Sequence, residues 1–332
     1  MSFQEIKGQD RPIQILKEAL AQGRLMNSYL FSGPEGVGKK LTARTLAAAV
    51  NCLERDDDAC GRCASCRKIE AGRHPDVHII DKATLLTIVP ERQSSASSEI
   101  RIDHIRQLKK EINLRPYEAR KKVFIIDDAH NLNAEASNAL LKTLEEPPQD
   151  SIIILASDKP RLLFKTIISR CSILKFSCLE RPVLEEILKK DYSLAAQEAH
   201  FLAYLAEGRL GCALRLKDTD IIREKNRVLD KIALSTRPAL ETLATEDREQ
   251  VRSHLNWLAT WFRDIYLLKN GLPYLEVINL DRREELLKEA GRFSLSDVSA
   301  ILDAISDAIL YLEQHVNVKL LLHNLGAQLW TG

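Results

Sequence analysis

The sequence SGPEGVGKKLTAR, residues 32–44, follows a short apolar run and precedes a helical pattern. Gly33, Gly38 and Lys39 fit the pattern GxxxxGK, with a further glycine at Gly36. In such a loop the glycines let backbone N–H groups turn toward phosphate, the helix start adds a favourable dipole, and the lysine reaches the outer phosphates. The context predicts a loop that binds ATP or ADP. A tight glycine turn without a ligand is the alternative.

The position after Lys39 departs from this pattern. A serine or threonine there supplies the hydroxyl that coordinates Mg²⁺, whereas this chain has Lys40. An ammonium group cannot ligate a cation, and it brings a positive charge close to where one would sit. Thr42 does not replace the hydroxyl, because two helical residues further on it points about 200° around the helix axis. We therefore expect impaired metal chemistry in a loop that can still hold nucleotide.

The first half of the chain alternates apolar strands with helical patterns, as a parallel sheet requires. Helical patterns cover 39–51, 103–113 and 135–146, and the last is stopped by Pro147 and Pro148. The fold class is therefore α/β with a parallel sheet. The predicted strands are Tyr29–Phe31, Val77–Ile80, Val123–Asp127, Ile152–Ala156 and Ser172–Phe176.

After Phe176 the strand signals nearly vanish. Residues 181–217 predict about three short helices, and 220–330 is helical with breaks near Arg237, Gly271 to Pro273 and Gly291. We therefore expect an α/β domain over 1–177, a small helical domain over 178–219 and a larger all-helical domain over 220–332.

Two acidic residues end the strand in VFIIDDAH, where the Walker B strand of a nucleotide-binding domain ends. In such sites the first acid supports Mg²⁺ and a second carboxylate, usually a longer glutamate, polarises the attacking water. Asp127 and Asp128 occupy these places, so the second acid is one methylene short. The alternative is a pair of solvated acids at a strand end.

Four cysteines lie within fifteen residues in the spacing C-x7-C-x2-C-x2-C, namely Cys52, Cys60, Cys63 and Cys66. Four thiolates can close a tetrahedral Zn²⁺ site, and the glycine in CGRC provides the turn that lets two sulfurs converge. With four protein ligands the zinc has no position for water, so its role is structural. Iron–sulfur ligation, a redox dithiol and unligated thiols remain alternatives, although the usual downstream Cys-Pro of an iron–sulfur run is absent.

Composition limits location and partners. The formal net charge of +1 provides no global attraction to nucleic acid or to an anionic membrane. The first residues, MSFQEIKGQDRP, lack the features of a secretory signal, and no window approaches the roughly 18 apolar residues of a membrane span. A cytoplasmic protein without a membrane partner is expected, and its thiols stay reduced there.

The motifs GPEGVGKK, KVFIIDDAH, NALLKTLEEPP and IISRC, with the four cysteines, occur in the order seen in bacterial clamp-loader subunits of DNA polymerase III, in the AAA+ superfamily. The chain resembles this family over nearly its whole length. WLATWFRDIYLLKNG and NVKLLLHNLGAQLW look like the collar segments that hold such subunits in a ring. The resemblance implies an AAA+ domain with a zinc module at 52–66, then a helical lid and a helical collar in the two ranges given above.

The family also assigns roles to single residues. By spacing alone, Arg170 is most simply a solvated or salt-bridged arginine; the resemblance implies that it projects into a neighbouring subunit's ATP site as an arginine finger. Ser157 falls where the family has its first sensor of the γ-phosphate. The second sensor is an arginine in a motif similar to GRLGCAL, where this chain has Gly211 and places Arg209 two residues out of register.

The resemblance thus implies a subunit that does not hydrolyse ATP, completes the site of a gamma or tau ATPase, and joins a ring that also contains a delta subunit. The ring loads the sliding clamp on primer–template DNA. A hydrolysing gamma or tau type of subunit is the alternative, followed by an independent zinc and nucleic-acid binding module. The stretch RQLKKEINLRPYEARKK carries seven basic residues from Arg106 to Lys122 that either contribute to DNA binding or form a solvated helix face.

Overall fold

A computed structural model of the chain describes residues 1–81, 99–234, 240–245, 247–272, 277–314 and 316–329. The described chain divides into two compact units. Unit 1 contains residues 1–179 together with 208–212, and unit 2 contains residues 180–207 and 213–332.

Unit 1 is built on a five-stranded sheet with strand order β2-β3-β4-β1-β5, and each neighbouring pair of strands is parallel. β3 and β4 are buried along their whole length, which explains their continuous apolar sequences. All five strands predicted from the sequence are therefore confirmed, within two residues at each end. The strands are β1 Ser28–Ser32, β2 Val77–Ile80, β3 Lys122–Ile126, β4 Ser151–Ser157 and β5 Ser172–Lys175.

Helices cover both faces of this sheet. Alternate strand residues point to opposite faces: Tyr29 and Phe31 belong to one apolar cluster, and Leu30 belongs to the other. The first cluster includes buried residues of α1, α2 and α3, and the second includes those of α4 and α5, so the unit has three layers. The helices are α1 Asp10–Ala21, α2 Lys39–Val50, α3 Ala64–Glu70, α4 Ile102–Ile112, α5 Ala134–Glu145 and α6 Lys165–Ile168.

Unit 2 is helical throughout its described residues, apart from its connecting segments. Its largest apolar cluster includes α11, Arg248–Lys269, whose Trp261 and Phe262 are almost fully buried. This helix packs most extensively against α13, Leu295–Glu313. The helices of the second half are α7 Arg181–Tyr192, α8 Ala196–Ala206, α9 Leu210–Lys217, α10 Ile221–Val228, α11 Arg248–Lys269, α12 Arg283–Arg292, α13 Leu295–Glu313 and α14 Val318–Leu329. The first residues of α9 belong to unit 1.

The helical patterns of the sequence are confirmed within about one residue for α2, α4 and α5, and the three short helices expected in 181–217 are α7, α8 and α9. The break predicted from Gly271 to Pro273 follows α11, and Gly271 has a φ of 73°. Pro273 lies outside the described residues. The break near Gly291 falls slightly later, because Ser294 begins α13 with a capping box that it forms with Asp297. The break near Arg237 lies outside the described residues.

Neither α1 nor α3 was predicted from the sequence. None of the described helices combines the length and the apolar character that a membrane crossing requires.

Candidate functional site

The glycine-rich loop lies between β1 and α2, at the carboxyl edge of the sheet. Gly36 and Gly38 have φ values of 79° and 104°, in the left-handed region where glycine is favoured. A Cβ at Gly33 would lie 2.3 Å from the carbonyl oxygen of Phe176, so the backbone approach there also requires glycine. The structure thus gives a physical reason for each of the three glycines.

Lys39 is buried beneath this loop. Its ammonium donates hydrogen bonds to the carbonyl oxygens of Gly33 at 2.6 Å and Pro34 at 2.7 Å. Burial lowers its pKa, against the attraction of acidic groups led by Asp158. The lysine is therefore held at the loop, where its charge faces the carboxylates at the ends of β3 and β4.

Lys40 forms ion pairs with two carboxylates at the same edge of the sheet. Its ammonium lies 2.7 Å from Asp81 and 3.2 Å from Asp127. Burial lowers the pKa of Lys40, but the hydrogen bond that its ammonium donates to Asp81 and the charge of Asp127 outweigh burial and raise the pKa overall. The hydroxyl of Thr42 donates to the carbonyl oxygen of Gly38 at 2.9 Å and so does not point toward these acids.

The acids predicted from the Walker B pattern lie directly after β3. Asp127 forms an ion pair with Lys40. Asp128 adopts a left-handed φ of 49°, an unusual conformation for a residue other than glycine. Ser157, at the end of the adjacent strand β4, is fully buried. Its hydroxyl accepts from the backbone N–H of Lys159 at 3.1 Å. The parallel sheet therefore brings Asp127, Asp128 and Ser157 to the glycine loop.

Two further residues belong to this cluster and were missed by sequence reasoning. His130 Nδ1 lies 3.1 Å from Asp158 and 3.4 Å from the Ser157 hydroxyl. One ligand atom each from Asp128, His130 and Asp158 lie within 4.8 Å of one another. Their positions in the sequence could have indicated them, because His130 lies two residues after Asp128 and Asp158 directly follows Ser157.

The start of α9 packs on the tip of the glycine loop within unit 1. The Gly211 N–H donates to the carbonyl oxygen of Gly36 at 2.8 Å, and a Cβ at Gly211 would lie 2.9 Å from that oxygen. A Cβ at Gly36 would in turn lie 3.0 Å from the backbone nitrogen of Cys212. Glycine at both positions permits this backbone contact, so an arginine at position 211 requires the loop to shift.

Arg170 lies just before β5, and its side chain is 33% exposed. One terminal nitrogen of the guanidinium donates to the carbonyl oxygen of Thr166 at 2.9 Å, and the other pairs with Glu145 at the end of α5. The salt bridge that spacing alone suggested is therefore present. Glu145 was not predicted as its partner.

The four cysteines predicted to bind metal converge in space. Their sulfur atoms all lie within 4.8 Å of one another, and the Cys60 and Cys66 sulfurs are 4.0 Å apart. The backbone N–H of Cys63 donates to the Cys60 sulfur at 3.3 Å, and that of Cys66 donates to the Cys63 sulfur at 3.4 Å. Cys52 and Cys66 are nearly fully buried.

The surroundings of the thiols shift the pKa values of Cys63 and Cys66 in opposite directions. Burial raises the pKa of Cys63, but backbone N–H donors from Leu53 and Cys66 outweigh burial and lower it to about 7. Burial raises the pKa of the Cys66 thiol. A sulfur that already accepts N–H hydrogen bonds is prepared for the thiolate form that metals bind.

The basic stretch from Arg106 to Lys122 is only partly available to a partner. Lys122 is buried, and its ammonium donates to the carbonyl oxygen of Glu111 at 2.9 Å, so it cannot contact DNA. Other members are engaged at the surface: Arg106 pairs with Asp103, Arg120 pairs with Asp56, and Lys121 donates to the Gln149 carbonyl. Lys110 and Arg115 are exposed.

A glycine loop with its lysine after β1, paired acids after β3 and a buried serine after β4 define a P-loop domain, followed here by helical segments. The family model described as "DNA polymerase III, delta subunit" matches residues 8–180, and the model for the C-terminal part of that subunit matches residues 221–329. This chain therefore belongs to the DNA polymerase III delta-subunit family, as its motifs predicted.

Two curated relatives illustrate the similarity. The chain is 29% identical to DNA polymerase III subunit delta' of Bacillus subtilis, over 98% of this chain and 97% of that protein. It is 36% identical to DNA polymerase III subunit tau of Escherichia coli over 76% of this chain, a match that spans 37% of the tau protein. Among solved structures, the chain is similar to the RuvB Holliday junction branch migration motor of Thermotoga maritima, with 19% sequence identity and a TM-score of 0.44. That match covers 87% of this chain and 90% of the RuvB chain.

Proposed function

We propose that this chain is a delta-prime type subunit of the DNA polymerase III clamp loader that does not hydrolyse ATP and instead supplies Arg170 to a neighbouring ATPase subunit. In this role it helps a ring of gamma or tau and delta subunits to load the sliding clamp on primer–template DNA in the cytoplasm. The observation that carries the proposal is a contrast between two sites. Lys40 is paired with the Walker B acid of the chain's own site, whereas Arg170 is at the surface.

Two features of the chain's own site support the absence of hydrolysis. The ammonium of Lys40 binds Asp127, the acid that supports Mg²⁺ in an active site of this kind. Gly211 stands where an active subunit of this family has an arginine sensor, and its contact with Gly36 leaves no room for a side chain. Transition-state charge at this site therefore lacks two of its usual stabilising groups.

The segment around Arg170 supports a role in a neighbour's site. Leu162 and Phe164, which precede it, are 63% and 40% exposed, as suits a surface that a partner covers. A guanidinium has five N–H donors in a fixed fork, and its bonds to Thr166 and Glu145 leave donors for a phosphate oxygen. Such an arginine stabilises the charge that develops on a transferring phosphoryl group.

For the four-cysteine cluster we propose a structural Zn²⁺. With zinc–sulfur bonds of about 2.3 Å, a tetrahedral site separates its sulfurs by about 3.8 Å, which agrees with the 4.0 Å between Cys60 and Cys66. Four thiolates leave no open position, so the metal holds the module at 52–66 together. Metal analysis of protein purified without added metal tests this, with one zinc per chain expected; a folded protein without metal, or one with iron and a visible absorption band, contradicts it.

The domain and partner assignments are part of the same proposal. The ranges 1–177, 178–219 and 220–332 are the AAA+ domain, lid and collar, and the collar joins the ring. Lys110 and Arg115 are the members of the basic stretch best placed for DNA, because they are exposed.

A hydrolysing subunit of the gamma or tau type is the second candidate, and the 36% identity to a tau subunit favours it. ATP turnover by the purified chain separates the two, with Lys39→Ala as the control for contaminating ATPase. Our proposal predicts equal background rates for the wild type and for the variant. Sustained turnover that Lys39→Ala abolishes would establish the second candidate.

A further inference from the structure

Lys40 occupies the place in this site that a divalent cation normally takes. In an active P-loop site, Mg²⁺ is held by the loop hydroxyl and by the Walker B acid, and it bridges two phosphate groups. Here the ammonium of Lys40 lies 3.2 Å from Asp127 and 2.7 Å from Asp81. Asp81 follows β2, so this ion pair connects α2 to two strand ends.

The residues present do not fit Mg²⁺. Position 40 provides no hydroxyl, and the Thr42 hydroxyl is directed at the Gly38 carbonyl oxygen, on the backbone of the loop. A Mg²⁺ ion at Asp127 would also lie a few ångströms from a fixed ammonium, and two like charges repel strongly in a partly buried site. The acid is therefore neutralised by the chain itself.

The groups that bind phosphate remain in place. The backbone N–H groups of residues 36–40 form no backbone hydrogen bond with any other residue that the structure describes. They precede or begin α2, a helix of 12 residues, and the buried Lys39 lies beside them. Backbone N–H groups in this arrangement, with a helix start and a lysine, provide an anion site.

We propose that this loop binds the polyphosphate of a nucleoside di- or triphosphate without a divalent cation, and that the Lys40 ammonium takes the place of Mg²⁺. An ammonium has three N–H donors. Two of them serve Asp81 and Asp127, and the third is available for a phosphate oxygen. This inference rests on the function proposed above, in which the chain's own site does not hydrolyse ATP, and it defines the ligand of that site as the metal-free nucleotide.

A tethered ammonium also explains how such a site retains nucleotide without turning it over. It carries one positive charge where Mg²⁺ carries two, and it cannot polarise phosphate oxygens as a Lewis acid does. Ground-state binding by N–H donors is thus preserved while stabilisation of the transition state is weakened. The nucleotide then serves to order the loop.

The test measures binding of fluorescent N-methylanthraniloyl-ADP and N-methylanthraniloyl-ATP to the full chain, in excess Mg²⁺ and in EDTA. For the wild type we expect the two dissociation constants to agree within about threefold. Lys40→Thr restores the hydroxyl and frees Asp127, so it should bind at least about tenfold more tightly with Mg²⁺ than in EDTA. Lys40→Met, which restores no ligand, should bind weakly under both conditions, and Lys39→Ala should not bind.

Two results overturn the inference. One is a wild type whose binding weakens by tenfold or more when Mg²⁺ is removed. The other is a folded wild type, verified by circular dichroism, that binds no nucleotide under either condition. Because the wild-type comparison needs no variant, poor folding of Lys40→Thr does not affect the conclusion. Neither result touches the role of Arg170, which is measured on the neighbouring subunit's rate in the assembled loader.

Discussion

The ion pair between Arg170 and Glu145 raises the question of whether the chain restrains its own arginine. A carboxylate that held the guanidinium firmly would compete with a neighbour's triphosphate. The side chains of Arg170 and Glu145 are 33% and 47% exposed, so solvent screens their attraction. Exposed pairs of this kind contribute about 0.2–1 kcal/mol.

This magnitude predicts a small effect for Glu145→Gln. A free energy of 0.2–1 kcal/mol corresponds to a change of about 1.4- to 5-fold in an equilibrium constant. In a reconstituted loader, Glu145→Gln should therefore alter the DNA- and clamp-stimulated ATPase rate by at most about fivefold. Glu146→Gln is the matched control, because Glu146 is its exposed neighbour.

The ATPase rate of the loader with Glu145→Gln is compared with the rate of the loader with Arg170→Ala in the same assay. A loss with Glu145→Gln as large as that with Arg170→Ala would refute this reasoning. It would mean that the carboxylate positions the arginine in the transition state, in which case an altered kcat with an unchanged KM would accompany the loss. A rise of well above fivefold in the ATPase rate with Glu145→Gln would show that the ion pair between Arg170 and Glu145 is stronger than expected for a pair of this exposure.

Two further predictions concern the framework of the site. Gly211→Ala places a Cβ 2.9 Å from the Gly36 carbonyl oxygen and should lower the free energy of unfolding by about 1–3 kcal/mol. Gly291→Ala, whose Cβ would lie in open space on a helix, should raise the free energy of unfolding by about 0.5–1 kcal/mol. Equal effects of the two substitutions in urea unfolding would contradict the packing argument. Buried Asp76 accepts N–H bonds from Tyr117, Glu118 and Ala119, which outweigh burial and lower its pKa, so Asp76→Asn should cost about 1.5–3 kcal/mol at pH 7. Because that pKa is lower in the folded state, the stabilisation is present above the ordinary pKa and disappears as pH falls through the lowered value; a cost unchanged at low pH would contradict this.

The sheet and the placement of its loops could be predicted from sequence because buried parallel strands are continuous apolar runs. The buried strands β1, β3 and β4 gave this signal most clearly, and the motifs that follow them then had to meet at one edge. The cysteine cluster was equally predictable, since its four cysteines lie close together along the chain. Local spacing was sufficient in both cases.

The contacts on which the proposed function depends were less predictable, because they join residues far apart in sequence. Lys40 and Asp81 are separated by 41 positions, and Arg170 and Glu145 by 25. Nothing in the local pattern identified Asp81 as a carboxylate beside the P-loop. The same holds for Gly211, whose contact with Gly36 depends on how α9 returns to the loop. The sequence predicted that Lys40 would disturb a metal site, and the fold was needed to find its partners.

Single-turnover ATP hydrolysis tests most directly whether Arg170 completes the ATP site of an adjacent subunit. The loader is assembled so that the ATPase subunit next to this chain carries the one active site. Arg170→Ala should then slow that site by about 10³-fold or more, with unchanged folding of the chain and unchanged assembly of the ring. A rate within about twofold of the wild type would contradict the claim.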